Sequence, residues 1–473
     1  MASSSASSVA DGEQNLAMMK PALSSDPSHK SIHSTASRTE ANIRPKNSEL
    51  GADADSEKGS GGEDHISSAL DPSSYPDGGF EAWSVVAGGF CCLFCSFGWI
   101  NCIGVFQGYY QIHQLQAYTP SAIAWIPALE TFMMFAGGPI FGKLYDNFGP
   151  RYILLFGSFM HVFGLMMTSI STQYYQFLLA QGICSPIGAS AIFYPALSTV
   201  GTWFFKNRAL AFGVIASGSS LGGVIFPIMV ERLVEEVGFG WAMRIAAFLI
   251  LFMMVIANLT VRSRIPPSPK PLNIMEFITP LKEPPFLLTC LGSFLFFFGL
   301  FLPFNYIILQ ATSDGMSPGL ASYLLSMLNA ASLFGRIIPG YIADRIGRYN
   351  VMIVMTYFSA ITVLAIWLPA RSNAPTIIFA ILYGFGSGAF VSMAPALIAQ
   401  ISDIRQIGVR NGTLFAIIST AALCGNPIGG ALVTKYNGGF TGLQIFAGVM
   451  MMAGSTLFVA ARVTLGGFKA VQV

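Results

Sequence analysis

Two ionisable side chains, Arg336 and Glu130, stand inside long apolar stretches of the sequence. A charged side chain at the centre of a bilayer costs about 2.5–3.5 kcal/mol on insertion scales, so it faces a cavity or a partner and often has a function. An arginine binds a carboxylate through parallel hydrogen bonds, and a carboxyl group removed from water favours its protonated form. The pattern therefore predicts substrate binding by Arg336 and proton coupling by Glu130. The alternatives are a structural charge pair for Arg336 and an interhelical hydrogen bond for Glu130.

Uncharged polar side chains also occur within the apolar stretches, where each could contact a solute or bond a neighbouring helix. The candidate substrate contacts among them are Asn101, Tyr194, Asn305, Asn329 and Ser332. The sequence lacks an H-E-x-x-H motif, and its cysteines and histidines do not cluster at zinc-ligand spacing. We therefore expect a protein that is not an enzyme, without catalytic residues, bound metal or cofactor.

The elements that would position these residues are membrane-spanning helices. Of the 473 residues, 53% are hydrophobic and 10% are charged, and the mean hydropathy is +0.59. A soluble domain carries about 25% charged residues. Apolar runs of about 20 residues, long enough to cross a bilayer, cover 83–107, 121–142, 152–171, 174–199, 209–231, 240–261, 286–311, 319–342, 350–369, 375–400, 412–434 and 441–462. The sequence predicts an all-α membrane protein with twelve transmembrane helices.

The chain divides at a Pro-rich, basic segment, residues 262–285, into two six-helix halves, 76–261 and 286–473. Residues 1–75 are rich in Ser, Asp and Glu and poor in large apolar residues, which predicts a disordered tail. The net charge of +2 gives no basic field for nucleic acid. We expect a small-molecule substrate and lipid as the partners; the sequence leaves the oligomeric state open.

Loop charges predict the orientation, because cytoplasmic loops carry an excess of Lys and Arg. With a cytoplasmic N-terminus, the cytoplasmic side would hold Lys143, Arg151, Lys206, Arg208, Arg262, Arg264, Lys270, Lys282, Arg345, Arg348, Arg405, Arg410, Arg462 and Lys469. The opposite side would hold only Arg232, Arg244, Arg371 and Lys435. The bias predicts that both termini are cytoplasmic.

A loop motif occurs once in each half. GKLYDNFGPR (142–151) follows the second apolar run, and GYIADRIGRY (340–349) follows the eighth. The pairs Gly142 and Gly340, and Asp146 and Asp344, are each separated by 198 residues. Glycines permit a tight loop, and an aspartate can cap a neighbouring helix N-terminus. Two pseudo-symmetric six-helix bundles are the organisation that this repeat predicts.

The pattern G-x-L-x-D-x-x-G-x-R resembles the hallmark loop of the major facilitator superfamily. The first copy matches in full, whereas the second has Ile342 for leucine and its arginine, Arg348, one place early. In that family this loop latches the cytoplasmic gate, and helices one, four, seven and ten line a central cavity. The resemblance thus implies gating roles for Gly142, Asp146, Arg151, Asp344 and Arg348.

A narrower resemblance is to the monocarboxylate porter family, especially its fungal members. It rests on DGGFEAW (77–83), TWFFKNRALAFGVIASGSSLGG (202–223) and the segment 329–344 around Arg336. Lactate carriers of that family have a lysine where this chain has Asn101 and an aspartate where it has Ser332. Because these two charges are absent, simple lactate transport does not carry over.

The favoured interpretation is a secondary transporter of a small organic solute, a carboxylate or related metabolite, with symport of a proton and a plasma-membrane location. A substrate carboxylate is the expected partner of Arg336, and the alternative is Glu130 as its resting partner in the other half of the fold, exchanged when substrate or a proton arrives. One alternative is an exporter of a larger secondary metabolite. A second is a non-transporting nutrient sensor on the same fold.

Overall fold

A computed structural model describes residues 74–467, 469 and 472. Almost all of the predicted tail therefore lies outside the described residues. Its last two residues, Ser74 and Tyr75, are described, and Tyr75 is buried against the protein rather than part of a free tail. The described ranges contain helices, turns and loops but no β-strand.

Twelve helices match the twelve predicted spans in order. They are α1 (Gly79–Ile112), α2 (Pro120–Ile123, Trp125–Ala136 and Gly138–Phe148), α3 (Arg151–Ile170), α4 (Tyr174–Trp203), α5 (Arg208–Val237), α6 (Phe239–Thr260), α7 (Pro284–Ser313), α8 (Pro318–Ile346), α9 (Arg348–Trp367), α10 (Asn373–Gln400), α11 (Ile407–Lys435) and α12 (Thr441–Gly466). The predicted all-α, twelve-helix fold is confirmed. The first bundle comprises α1–α6 and the second comprises α7–α12.

Two helices, α1 and α2, are interrupted by turns within the first bundle. Turns at Ser96 and at Asn101-Cys102 interrupt α1. Turns at Ala124 and Gly137 divide α2 into three pieces, and α2 is the one helix of the twelve that does not count as a single span by length and composition. The second break in α2 falls at Gly137-Gly138-Pro139. Glycine is a poor helix former and proline removes a helix hydrogen bond, which accounts for the interruption.

Exposed apolar side chains identify the helices at the periphery. The exposed face of α3 carries Phe156 and Phe159, and that of α6 carries Phe248 and Phe252. A large apolar surface of this kind is stable against lipid. These helices therefore form the outer wall, and the helices that they surround bury the polar residues.

The segment between the bundles is partly structured. After Thr260 it runs as an extended chain and then forms two short helical turns, Met275–Ile278 and Thr279–Lys282, before α7 begins. Lys143 at the end of α2 pairs with Glu276, and Arg410 on α11 pairs with Glu283 at 2.6 Å. The segment is thus fixed to both bundles at the end of the molecule that carries the two loop motifs. We call that end, defined by Asp146 and Asp344, the motif face.

Candidate functional site

A narrow cavity lies between the two bundles, midway along the helices. Four helices line it: α1 with Phe97 and Asn101, α7 with Leu300, Phe301 and Phe304, α8 with Ser332 and Arg336, and α10 with Ser387 and Val391. Its wall is aromatic on two sides and polar on the side of α8. A cavity with an apolar wall and a few convergent polar groups is the usual form of a small-molecule site.

Arg336 is the one charged residue in the lining of this cavity, and only 2% of its surface is exposed. Its Nη1 donates to the carbonyl of Ala216 and to the hydroxyl of Ser219, both on α5. The guanidinium carbon lies 5.9 Å from the ring centre of Phe97. Arg336 therefore joins the second bundle to the first, and its position is fixed by α5.

Two polar atoms of the lining have no hydrogen-bond partner within the described protein. They are the Nε of Arg336 and the hydroxyl of Ser332, one helical turn earlier. Buried polar groups are nearly always hydrogen-bonded, because an unpaired one costs about 1–3 kcal/mol. The arrangement provides one donor with positive charge and one hydroxyl for a polar group in the cavity.

Asn101 and Asn329 meet where α1, α5 and α8 converge. Each uses its amide Nδ2 on its own helix, donating to Phe97 at 3.1 Å and to Leu325 at 3.0 Å. Gly223 of α5 separates them, and a Cβ there would lie 2.7 Å from Asn329 Oδ1 and 2.9 Å from Asn101 Nδ2. The structure therefore brings four predicted residues together: Asn101, Asn329, Ser332 and Arg336.

Three predicted substrate contacts do not line the cavity. Asn329 lies beside it, next to Asn101 and Gly223, and the other two bond neighbouring helices. The hydroxyl of Tyr194 donates to the carbonyl of Phe135 at 2.8 Å, which ties α4 to α2. The amide of Asn305 donates to the Asn426 side chain at 2.7 Å, which ties α7 to α11. Both make the interhelical hydrogen bonds that were the alternative interpretation.

The sequence did not reveal the phenylalanines of the cavity. Phe97 of the first bundle and Phe301 of the second lie 6.1 Å apart, edge to face, and Phe301 lies 5.5 Å from Phe304. Phenylalanine occurs 39 times in the chain, so its presence in a helix carries no signal. Ser387 was missed for the same reason, since small polar residues are common in these helices.

Glu130 lies away from this cavity, buried in the first bundle with 2% of its surface exposed. It accepts a hydrogen bond from Gln181 Nε2 at 3.1 Å, and Gln181 Oε1 accepts from the Tyr110 hydroxyl at 2.5 Å. Gln181 belongs to a π-helical turn, Ala180–Cys184, of a type frequent at functional sites. The alternative pairing of Glu130 with Arg336 is not made in this conformation, since each bonds to another group.

On the motif face, Asp146 and Asp344 each cap a helix of the other bundle. Asp146 accepts from the backbone nitrogens of Gly408 and Val409 at 3.0 and 2.9 Å, at the start of α11. Asp344 accepts from those of Ala209 and Leu210 at 3.0 and 2.9 Å, at the start of α5. The first amides of a helix lack intrahelical partners and carry partial positive charge. Two equivalent carboxylate–helix contacts therefore close this face.

Glycines let the bundles approach beside both contacts. A Cβ at Gly142 would lie 2.1 Å from the carbonyl oxygen of Gly408, and one at Gly340 would lie 2.6 Å from that of Ala209. Both values are far below van der Waals contact, so no larger residue fits without movement of a backbone. The repeated glycines of the two motifs thus serve the same close contact between bundles.

The arginines of the two motifs differ. Arg348 donates to Asp344 at 2.9 Å and also to the carbonyl of Phe205, so it belongs to its contact. Arg151 is exposed and makes no ion pair with a described residue. The full sequence match of the first motif therefore does not make Arg151 part of the closed interface.

Helix packing explains one further pattern, Gly218-Ser219-Ser220-Leu221-Gly222 on α5. It also matches the G-x-S-x-G of hydrolases, in which the serine stands on a strand-to-helix turn. Ser220 is buried in mid-helix instead. A Cβ at Gly218 would lie 2.3 Å from the carbonyl oxygen of Phe90, so close contact with α1 accounts for the glycine.

Comparison with known proteins decides the family. The sequence profile of the Major Facilitator Superfamily matches residues 89–370 and 289–470. The chain belongs to this superfamily. Among solved structures, the human organic anion transporter MFSD10 (TETRAN) superposes with a TM-score of 0.64 at 16% identity, covering 80% of this chain and 98% of that one. At this identity the likeness shows the fold alone.

Curated relatives are closer in sequence. "MFS-type transporter 1" of Ophiocordyceps sp. is 62% identical over 84% of this chain and 88% of its own length. The "Fujikurins efflux protein" of Gibberella fujikuroi is 48% identical over 82% of this chain and 83% of its own. The chain is therefore a transporter of this superfamily rather than an enzyme. These relatives are named as transporters and efflux proteins, and the narrower expectation of a monocarboxylate porter acting by symport gains no support from them.

Proposed function

We propose that the protein exports an organic secondary metabolite, the reading first weighed as the alternative to carboxylate uptake. The observation that carries the direction is the extensive similarity to a relative named for efflux. The aromatic side chains that both bundles contribute to the cavity wall support a substrate with more apolar surface than lactate.

The chemistry of the lining suggests the features of the substrate. Three phenylalanine rings offer stacking surface to a conjugated or aromatic framework. Arg336 Nε and the Ser332 hydroxyl would bond an oxygen acceptor, most strongly an anionic one. We therefore propose a metabolite that combines an apolar ring system with an acidic or enolic oxygen.

The two carboxylate–helix contacts would form the gate. In this conformation they close the motif face, and Arg336 joins α8 to α5 above them. Loading from the motif face requires that both contacts break and that Arg336 leaves Ala216 and Ser219. A substrate anion that replaces those partners would couple its own binding to the rearrangement.

Orientation and energy source complete the proposal. We propose that the motif face is cytoplasmic, that both termini lie inside, that the membrane is the plasma membrane, and that a proton binds at Glu130. Reporter fusions after Val473 and within residues 1–75 should both read cytoplasmic. A reporter outside at either end would contradict this orientation.

Metabolite profiling tests the export proposal. Isogenic cells with and without the gene are compared by untargeted mass spectrometry of cells and medium. Loss of the gene should raise one or a few aromatic, acidic compounds inside the cells and lower them in the medium. An unchanged distribution, or reduced uptake of a supplied solute in the cells that lack the gene, would overturn the proposal.

A further inference from the structure

We propose that Asp77 is a positioning residue for the gate. It holds the loop before α5 so that the first amides of α5 can bond to Asp344. The inference rests on the proposed gate at the motif face. Asp77 lies just before α1, 267 residues from Asp344, and it belongs to neither copy of the loop motif, 142–151 or 340–349.

Asp77 binds the loop between α4 and α5 through both its side chain and its backbone. Its Oδ1 accepts from the backbone nitrogens of Phe205, Lys206 and Asn207 at 2.7, 2.7 and 3.2 Å. Its own nitrogen donates to the Trp203 carbonyl at 3.2 Å, and its carbonyl accepts from the Asn207 side chain at 3.2 Å. A carboxylate with three backbone donors fixes the conformation of the whole loop.

The same loop contacts the second bundle at the adjoining residues. Asp344 accepts from the nitrogens of Ala209 and Leu210, which follow the three bound by Asp77 after a single intervening residue, Arg208. Arg348 donates to the carbonyl of Phe205, whose nitrogen Asp77 holds. Two carboxylates, one from each bundle, thus divide the amides of one loop and helix start between them.

The equivalent loop in the second bundle does not need such help. Gly408 and Val409 stand 199 residues after Ala209 and Leu210, and at this offset Asp403 corresponds to Phe204. Asp403 caps its own loop, since its Oδ1 accepts from the nitrogen of Arg405 at 2.9 Å. The first-bundle loop has an apolar side chain at that position, and Asp77 supplies the missing carboxylate from another part of the chain.

The backbone around Asp77 has an unusual conformation where it contacts this loop. Asp77 has a φ of 48°, which non-glycine residues rarely adopt, and Gly79 has a φ of 84°. The guanidinium carbon of Arg264 lies 4.5 Å from the ring centre of Tyr75, and the ring centres of Tyr75 and Phe205 lie 5.5 Å apart. Several contacts therefore hold Asp77 in an unfavourable conformation, as expected of a residue with a positioning task.

Asp77 and α5 belong to the same bundle, whereas Asp344 belongs to the other. The Asp77 contact consequently persists when the bundles separate at the motif face, and the Asp344 contact does not. Asp77 keeps the nitrogens of Ala209 and Leu210 in place for Asp344. It would therefore reduce the conformational entropy that is lost each time the gate closes.

The test measures the ratio of closed to open molecules without substrate. Spectroscopic probes at Tyr152 in the first bundle and Ile346 in the second, both exposed, report the distance across the motif face. Asp77→Ala should lower the closed-to-open ratio by about twofold to thirtyfold, the range for loss of a helix cap. Asp77→Asn, which keeps an oxygen acceptor, should have a smaller effect and guards against failure of Asp77→Ala to fold.

Double variants separate positioning from general stabilisation. Asp77→Ala should add little to Asp344→Asn, because both act on one contact, but should multiply the effect of Asp146→Asn. Glu81→Gln is the control, since Glu81 lies in the same segment and its side chain makes an exposed ion pair with Arg262 at 3.0 Å rather than a contact with the loop between α4 and α5 among the described residues. Full multiplication with Asp344→Asn, or equal effects of Asp77→Ala and Glu81→Gln, would overturn the inference. An unchanged ratio in Asp344→Asn alone would instead overturn the proposed gate.

Discussion

Asp146 and Gly408 meet across the interface of the two bundles, with the carboxylate Oδ1 3.0 Å from the backbone nitrogen. Asp344 and Ala209 repeat the contact at the same distance. The repetition relates α2 and α11 to α8 and α5 by the pseudo-symmetry of the fold. The closed motif face therefore depends on two equivalent charge–helix contacts.

Loss of charge at Asp146 should impair transport without loss of protein. Asp146→Asn keeps the shape and one oxygen acceptor but weakens the interaction with the positive start of α11, by about 0.3–1 kcal/mol or somewhat more in this buried place. We expect a severalfold lower transport rate at normal abundance in the membrane, measured as export per copy of protein. Wild-type export at wild-type abundance would contradict a gating role.

A methyl group at Gly142 should hinder closure. The added Cβ would lie 2.1 Å from the Gly408 carbonyl oxygen, so the bundles must separate. Overpacking of this kind costs about 1–3 kcal/mol, which predicts a shift to molecules open at the motif face in the probe-distance measurement. Gly104→Ala on α1 is the matched control, because no described atom lies within 4 Å of its added Cβ. Equal behaviour of the two variants would count against the close contact.

Arg336→Lys should weaken export strongly even though the substitution retains the positive charge. A lysine keeps one positive charge but loses the planar fork that reaches α5 and the cavity together. We expect kcat/KM to fall at least about tenfold, which corresponds to about 1.4 kcal/mol. Part of the loss should appear as a higher KM. Arg345→Lys, an exposed arginine on the same helix, should transport normally. If Arg336→Lys does so as well, the arginine is structural and the anionic-substrate proposal loses its support.

The proton proposal is tested at Glu130. Its neighbour Gln181 donates to it, and Gln181 accepts from Tyr110, so Glu130→Gln imitates the protonated acid in an existing hydrogen-bond chain. The variant should transport with little dependence on external pH while still exchanging substrate across the membrane. Glu235→Gln, exposed at the end of α5, should keep the wild-type dependence. A full pH response in Glu130→Gln would show that a proton binds elsewhere or not at all.

The helices and the repeated loops could be predicted because each depends on a local pattern. Apolar runs of bilayer length gave the spans in order, and two copies of one motif indicated the two bundles. Contacts between distant segments have no such signal. The cavity-lining position of Ser332 and the cross-bundle bond of Arg336 depend on helix rotation, which an apolar helix does not reveal when every face is hydrophobic.

Residue chemistry alone also failed to separate function from packing. Tyr194 and Asn305 resembled Asn101 and Ser332 in every respect visible in the sequence, yet the former bond neighbouring helices and the latter line the cavity. Glu130 was likewise an alternative resting partner for Arg336. In the structure Glu130 bonds to Gln181 and Arg336 bonds to α5.

Direction of transport tests the account most directly. Purified protein is reconstituted into sealed vesicles with its motif face outward, and the compound identified by metabolite profiling is added outside with an acidic vesicle interior. The account predicts accumulation of the compound inside the vesicles, driven by exchange for protons, with loss of accumulation in Asp146→Asn and Arg336→Lys. Accumulation only in vesicles of the opposite orientation would contradict export and would make the protein an importer.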